Sequence, residues 1–103
     1  MTEQELYELL GKTGFPVAYH HFKTTTPPPF VVYIRINDDN VAADNKVYVK
    51  HDNYQVELYT ATKDVSAEKK LEAILDENEL VYSIDELYIE AEEMYEVIYT
   101  IQI

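Results

Sequence analysis

The period of the hydrophobic pattern changes once near the middle of the chain, from two residues to about 3.6 residues. Over Tyr54–Thr60 apolar and polar residues alternate, which predicts a strand because successive strand side chains point to opposite faces. Beyond this segment the apolar residues recur at helical spacing, which predicts a helix that has Asp64 or Ser66 as its N-cap and ends near Glu77. A strand therefore leads into an amphipathic helix.

A shorter helix is predicted at the start of the chain. Thr2, followed three residues later by Glu5, is a capping-box pattern, and Phe15-Pro16 prevents the helix from continuing. Between these signals apolar residues recur at helical spacing, at Leu6, Leu9 and Leu10. Residues 17–22 are then predicted to be extended, and we interpret the proline run at residues 27–29 as a connector rather than a ligand for an aromatic groove.

Further strands are predicted in four segments, at residues 30–36, 46–50, 80–84 and 94–103. Turn-forming polar residues separate the middle strands, at 37–45 and at His51–Asn53, so this region is predicted to be an antiparallel meander. Residues 85–93 have some propensity for helix but carry many acids, and we interpret them as an acidic connection.

Together these elements predict an α+β fold, in which two helices pack on a mostly antiparallel β-sheet in the order helix, strands, helix, strands. A chain of 103 residues is expected to form a single domain, residues 1–103. The apolar face of each element supplies the predicted core, which consists of Phe30, Val32, Ile34, Val56, Leu58, Leu71, Ile74, Leu75, Val97 and Tyr99.

The composition indicates a folded but strongly acidic protein. Hydrophobic residues make up 47% of the chain, ten residues are tyrosine, and the net charge is −12. Residues 51–103 carry fourteen acids and three bases, whereas residues 1–50 carry six acids and five bases. Such a surface repels phosphate groups, which argues against nucleic-acid binding and against docking on anionic membranes. The absence of cysteine excludes disulfides and thiolate metal sites.

Two groups of residues resemble metal ligands without matching a known metal site. His20 and His21 are neighbours on a predicted strand, where they would point to opposite faces. A loop after residue 36 carries hard oxygen ligands, but the spacing, the glycine and the terminal glutamate of a calcium-binding helix-loop-helix are missing. We interpret it as a solvated acidic loop, whose polar residues are Asp38, Asp39, Asn40, Asp44 and Asn45.

Catalytic motifs are not evident either. Nine acids and no bases lie between Asp76 and Glu96, and we interpret them as a solvated charged surface rather than as a general acid–base pair. A glycine-rich phosphate loop and a nucleophile elbow are both missing from the sequence. We therefore expect that the protein is not an enzyme and uses no metal or cofactor.

Four segments follow one another in an order found in a known family: Glu5-Leu6-Tyr7-Glu8-Leu9-Leu10, Pro29-Phe30-Val31-Val32-Tyr33, Tyr54-Gln55-Val56-Glu57-Leu58-Tyr59, and a helix from Ala67 to Leu75. Over most of its length the chain thereby resembles the tail completion and tail terminator proteins of long-tailed bacteriophages. These are small α+β subunits that cap the tail tube and join it to the head.

The resemblance implies a structural protein of a phage or prophage virion, present in the host cytoplasm before assembly. It implies a hexameric ring at the head–tail junction, with the tail-tube and head-completion proteins as partners and no membrane. DNA would pass through an acidic ring without being bound specifically, and the acidic loop would line the lumen or a ring contact. The candidate strand for self-association presents the alternate residues Met94, Glu96, Ile98, Thr100 and Gln102.

An alternative from another class is a small acidic binding protein that covers a basic site on another protein by mimicking the charge of DNA. Such a protein would act as a monomer or dimer, whereas a terminator must close a ring. The oligomeric state therefore distinguishes the two hypotheses.

Overall fold

The computed structural model describes the backbone of residues 1–43 and 46–103 and the side chains of residues 1–36 and 52–103. Two helices and five strands form an α+β fold, and the predicted order of helix, strands, helix, strands is confirmed. The elements are α1 (Glu3–Gly11), β1 (Val17–Tyr19), β2 (Phe30–Ala43), β3 (Lys46–Thr60), α2 (Val65–Glu77), β4 (Tyr82–Ile89) and β5 (Met94–Gln102).

All five strands belong to one sheet, in the order β1-β2-β3-β5-β4. β1 is parallel to β2, and the other three neighbouring pairs are antiparallel, as predicted. β1 and β4 are therefore the two edges of the described sheet. β5, which contains the C-terminal alternating pattern, lies between β3 and β4.

Both helices pack on the same face of the sheet, which we call the covered face. Leu58 of β3 and Tyr99 of β5 are fully buried in one cluster with Leu6 of α1 and Leu71 of α2. Removing an apolar side chain of this size from water stabilises a fold by roughly 1.5–3 kcal/mol. The predicted core positions that belong to this cluster are Val56, Leu58, Leu71, Ile74, Leu75, Val97 and Tyr99.

Tyrosine hydroxyls connect the covered face to the helices. Three of them donate hydrogen bonds to carboxylates: Tyr54 to Glu3 at 2.8 Å, Tyr99 to Glu72 at 2.8 Å, and Tyr82 to Asp76 at 2.9 Å. Burial and then the Asp76 carboxylate raise the pKa of Tyr82 to about 12. The rings fill the space between sheet and helix while the hydroxyl groups remain hydrogen-bonded, which explains part of the high tyrosine content.

The predicted core face of β2 is wrong. Val31 lies opposite Leu58 and is fully buried, so the odd-numbered residues at the start of β2 face the helices. The opposite face carries the residues that were assigned to the core, Phe30, Val32 and Ile34, of which Val32 is nevertheless buried and the other two are half-buried. Every residue from 30 to 34 is apolar or aromatic, so alternation alone does not distinguish the two faces of this strand.

Two predicted boundaries are also wrong. β2 and β3 form one long hairpin, paired from Phe30–Tyr59 to Ala43–Lys46, where a loop at 37–45 and a turn at His51–Asn53 were predicted. β4 continues to Ile89 through residues that were predicted to be an acidic connection, and it pairs with β5 over its whole length. Hydrogen bonding to a neighbouring strand outweighs local turn and charge preferences in these segments.

Candidate functional site

The face of the sheet opposite the helices, which we call the open face, carries the candidate site. Neither α1 nor α2 packs on it, because their buried apolar residues all join the cluster on the covered face. Direct cross-strand pairs such as Tyr59 with Glu96 place residues of neighbouring strands on this face together. Its main described residues are Phe30, Ile34, Glu57, Tyr59, Glu96 and Ile98.

The connection between β1 and β2 folds over one end of the open face. The ring of Phe22 meets the ring of Phe30 edge-on, with centroids 5.3 Å apart. Phe30 in turn stacks on Tyr59, with centroids 4.9 Å apart and an interplanar angle of 20°. Aromatic pairs of this kind contribute about 0.5–1.5 kcal/mol beyond the burial of their area. The stack therefore holds the connection against the sheet.

A cleft of about 440 Å³ lies between this connection and the sheet. Phe22, Phe30, Tyr59 and Met94 form its apolar part, and Glu92 lies at its border with the turn before β5. Clefts that bind small molecules commonly have a volume of roughly 300–1,000 Å³ and a mainly apolar lining. The cleft is therefore large enough for an apolar or aromatic group of another molecule.

A larger cleft of about 580 Å³ lies at the other end of the sheet, where β4 begins. Tyr82 and Ile103 contribute to its walls, and Glu79, which is exposed, supplies its carboxyl group. This cleft lacks a buried pair of ionisable groups. It therefore offers fewer groups for proton uptake and polar recognition than the open face does.

Next to the aromatic stack, two carboxyl groups share one tyrosine hydroxyl. The Tyr59 hydroxyl lies 2.9 Å from Glu57 Oε1 and 2.7 Å from Glu96 Oε2. Glu96 is only 8% exposed, and neither carboxyl takes part in an ion pair among the described side chains. A phenol has a single hydrogen to donate, so the second contact requires a proton on a carboxyl group.

The surroundings of Glu57 favour its protonated form. Burial raises the pKa of Glu57, and the nearby Glu96 carboxylate raises it further, although the hydrogen bond from Tyr59 acts in the opposite direction. Burial and the two carboxylates likewise raise the pKa of Tyr59, so the phenol keeps its hydrogen at neutral pH. The network can therefore take up a proton, and its oxygens can accept hydrogen bonds from a basic group of another molecule.

The two neighbouring histidines lie closer together than predicted. β1 ends at Tyr19, and His20 has a left-handed backbone with φ of 68°. As a result the Nδ1 atoms of His20 and His21 lie 3.1 Å apart, and the prediction that the two rings point to opposite faces of a strand is wrong. Within the described part of the chain, no three His, Cys, Asp or Glu side chains are placed to hold a metal ion.

β4 presents a long edge to solvent. It pairs with β5 on one side only, and the six residues from Ser83 to Tyr88 are exposed. Large apolar side chains lie along this edge: Ile84 is 50% exposed, Leu87 42% and Tyr88 47%. Unpaired edges of this length are ready to pair with another strand unless charges or a covering segment block them.

The residues singled out from the sequence are distributed over several parts of the molecule. β5 is paired on both sides, so the candidate self-association strand has no free backbone edge, although its residues Met94, Glu96, Ile98, Thr100 and Gln102 lie on the open face. Self-association through that face stays a prediction. Of the acidic loop, Asp44 and Asn45 lie outside the described residues, as do the side chains of Asp38, Asp39 and Asn40, whose backbone belongs to β2.

Sequence reasoning did not identify the network of Glu57, Tyr59 and Glu96. Alternation in β3 does place Glu57 and Tyr59 on the same face, away from the core positions. Their partner Glu96 is 37 residues further along the chain than Tyr59, and only the pairing register of β3 with β5 brings it there. Half of the network was therefore visible in the sequence.

Comparison with known proteins assigns no function to the clefts and edges described above. No protein-family model matches the chain, and no curated protein matches it. Neither of the described helices has the length and apolar character needed to span a membrane. The function is therefore argued from the surfaces of the fold.

Proposed function

We propose that this chain is a structural subunit of a phage or prophage virion, the tail completion or terminator protein that forms a ring at the head–tail junction. The observation that carries the proposal is the incomplete covering of the sheet. In the part of the chain that the structure describes, both helices cover one face, no helix covers the other, and each terminal strand pairs with a neighbouring strand on one side only. Surfaces of this kind are typically completed by contact with further subunits.

The β2–β3 hairpin supports the same proposal. Backbone hydrogen bonds between β3 and the C-terminal segment end at Asp52 and Ile103, whereas β2 and β3 remain paired as far as Ala43 and Lys46. The hairpin backbone thus extends past the third strand as a two-stranded ribbon. Such a ribbon gives a small subunit the reach to contact a neighbouring subunit or the tail tube.

The charge of the chain is also consistent with a DNA passage. The net charge is −12, and the surface of the described C-terminal half includes exposed acids such as Asp76, Glu77 and Glu90. An acidic wall repels the phosphate backbone, so DNA would pass a ring of this composition without adhering. In the virion, its partners would be copies of itself and the tail-tube and head-completion proteins.

The test is assembly on the tail tube. Purified protein is mixed with a tail-tube subunit from the same genome, and the products are followed by sedimentation and electron microscopy, with an unrelated acidic protein of similar mass as control. We expect closed rings, hexameric by the resemblance, at the ends of tubes. A stable dimer that is insensitive to salt and ignores the tube subunit would contradict the proposal.

The acidic surface also favours a second candidate, a binding protein that covers a basic site on another protein. Nine acids and no bases lie between Asp76 and Glu96, and eight of these acids are exposed. A nanomolar complex with a basic nuclease or polymerase, formed by the monomer and displaced by DNA, would favour this candidate over the ring.

A further inference from the structure

One edge of the sheet is acidic, whereas a lysine follows the other edge along the chain. Along β4, Asp85 and Glu86 are exposed, and the strand contains no basic residue. On the other side of the sheet, β1 is followed by His20, His21 and Lys23, and no acid occurs anywhere between Glu8 and Asp38. The molecule therefore has one acidic edge and one edge with a basic flank.

Strand directions allow these two edges to meet in a continuous sheet. β1 and β2 run in the same direction, and three successive antiparallel pairings lead from β2 to β4, so β4 runs opposite to β1. A second copy can be placed beside the first with its helices on the same side of the continuous sheet. In this arrangement β1 of the second copy runs antiparallel to β4 of the first. Antiparallel pairing is the slightly more stable ladder.

Side chains on the two edges match in the same arrangement. Ile84 and Tyr88 lie on the covered side of β4, since they pair with residues of β5 that point toward the helices. Tyr19, which is 43% exposed, lies on the covered side of β1 opposite Tyr33. Aromatic and aliphatic residues that meet across two strands stabilise the pair.

The alternative pairing of two β4 edges across a two-fold axis is electrostatically unfavourable. It would bring Asp85 and Glu86 close to the same residues of the other copy, and like charges across two strands are destabilising. Lys63 would not compensate them, because it already contacts both Glu68 and Glu86 within its own chain. Charge complementarity therefore favours β1 of a second copy as the occupant of this edge.

We propose that the β4 edge binds the β1 edge of a second copy of this chain, head to tail, and that this contact closes the ring. The inference deepens the proposed function and rests on it. A head-to-tail contact uses two different surfaces and generates rings when the rotation closes. β1 has only three residues, so one contact is weak and assembly depends on high concentration or on a template.

The first experiment is a charge exchange across the contact. Asp85→Lys reverses the charge of the β4 edge, and Lys23→Glu reverses the flank of β1. Glu77→Lys and Lys12→Glu, both at exposed positions outside the two edges, change the net charge by the same amounts and serve as matched controls. Circular dichroism confirms that each variant is folded, and sedimentation at high protein concentration measures association.

We expect each edge variant to associate about tenfold more weakly than its matched control, because a favourable cross-strand charge pair becomes a repulsive one. An equimolar mixture of the two edge variants should recover the association of the original chain to within about threefold, since each contact in the mixture again joins opposite charges. If Asp85→Lys alone strengthens association and Lys23→Glu has no effect, two β4 edges meet and the inference is overturned.

The second experiment is covalent trapping, for which the absence of cysteine makes the chain suitable. Tyr19→Cys and Ile84→Cys are introduced into separate copies. On oxidation, the mixture should give far more crosslinked dimer than either variant alone, because a disulfide requires Cα atoms within about 7 Å. Crosslinking of Ile84→Cys with itself would instead indicate a β4–β4 contact.

The two proposals can fail separately. If a ring forms on the tail tube and both charge variants form it as well as the original chain does, the edge contact is wrong and the proposed function survives. If the original chain does not associate at any concentration, with or without the tail-tube subunit, both proposals are wrong.

Discussion

The two faces of the sheet use the same chemical groups, a tyrosine hydroxyl and a carboxyl, in different numbers. On the covered face three hydroxyls donate to one carboxylate each, as Tyr99 does when it donates to Glu72 at 2.8 Å. On the open face the single hydroxyl of Tyr59 serves both Glu57 and Glu96. The first arrangement is satisfied with every group in its ordinary charge state, whereas the second requires an additional proton.

This difference teaches that the stability of the fold resides mainly on the covered face. There the apolar cluster is continuous, and the buried polar atoms of the described side chains all have hydrogen-bond partners. The open face keeps two carboxyl groups in an unfavourable environment, as the raised pKa of Glu57 indicates. Such a face is suited to contact with another molecule rather than to holding the fold together.

The largest effect should come from the core of the covered face. Leu58→Ala or Leu71→Ala should lower the free energy of unfolding by about 2–5 kcal/mol, because both side chains are fully buried and leave a cavity. Urea denaturation measures the change. Leu87→Ala, at an exposed position of the edge, is the control and should change stability by less than about 1 kcal/mol. Changes within experimental error at both core leucines would contradict the assignment of this face.

Removing a single hydroxyl should distinguish the two faces directly. Tyr59→Phe leaves two carboxyl groups without their shared donor and should cost about 1–3 kcal/mol at neutral pH. Tyr99→Phe removes the donor of Glu72 alone, and Glu72 also lies 3.6 Å from Lys69, so the loss should be about 0.5–1.5 kcal/mol. Equal losses in thermal unfolding would mean that the shared hydroxyl is not special.

The proton of the open face should be visible in the pH dependence of stability. The pKa of Glu57 is raised in the folded state, so the fold binds this proton more tightly than the unfolded chain does, and stability should rise as pH falls from neutral toward that pKa. Glu57→Gln should melt at a higher temperature than the original chain at pH 7, because the amide is neutral without binding a proton. The difference should shrink as the pH is lowered.

Glu77→Gln, at an exposed position at the end of α2, is the matched control for this experiment and should leave the shape of the pH profile unchanged. A profile of Glu57→Gln that runs parallel to that of the original chain would show that Glu57 does not hold the proton.

The smallest effect concerns the weak self-association expected of the purified chain. Identical copies with a net charge of −12 repel one another, so self-association should strengthen when salt rises from about 0.02 M to about 0.5 M and screens the repulsion. Sedimentation equilibrium measures this trend. Association that weakens with salt would show that contact charges at the edges outweigh the overall repulsion.

Local signals in the sequence were sufficient to predict the two helices and the buried face of three elements. The Thr2 hydroxyl accepts from the Glu5 backbone at 3.1 Å, and Asp64 accepts from Ala67 at 3.0 Å, as the capping patterns predict. β3, α2 and β5 each have one apolar face and one mixed face, so periodicity alone identified the buried side. Of the candidate site, the same periodicity identified the mixed face of β5 and the shared face of Glu57 and Tyr59.

Only the tertiary structure decided the face of β2, the extent of β4, the left-handed turn at His20 and the meeting of Tyr59 with Glu96. In each case the local sequence is compatible with more than one arrangement, because β2 is apolar on both faces at its start and the residues of β4 are acidic as well as apolar. The choice is made by the register of hydrogen bonds between strands that are distant in sequence. That register depends on contacts of the whole sheet, which no local period encodes.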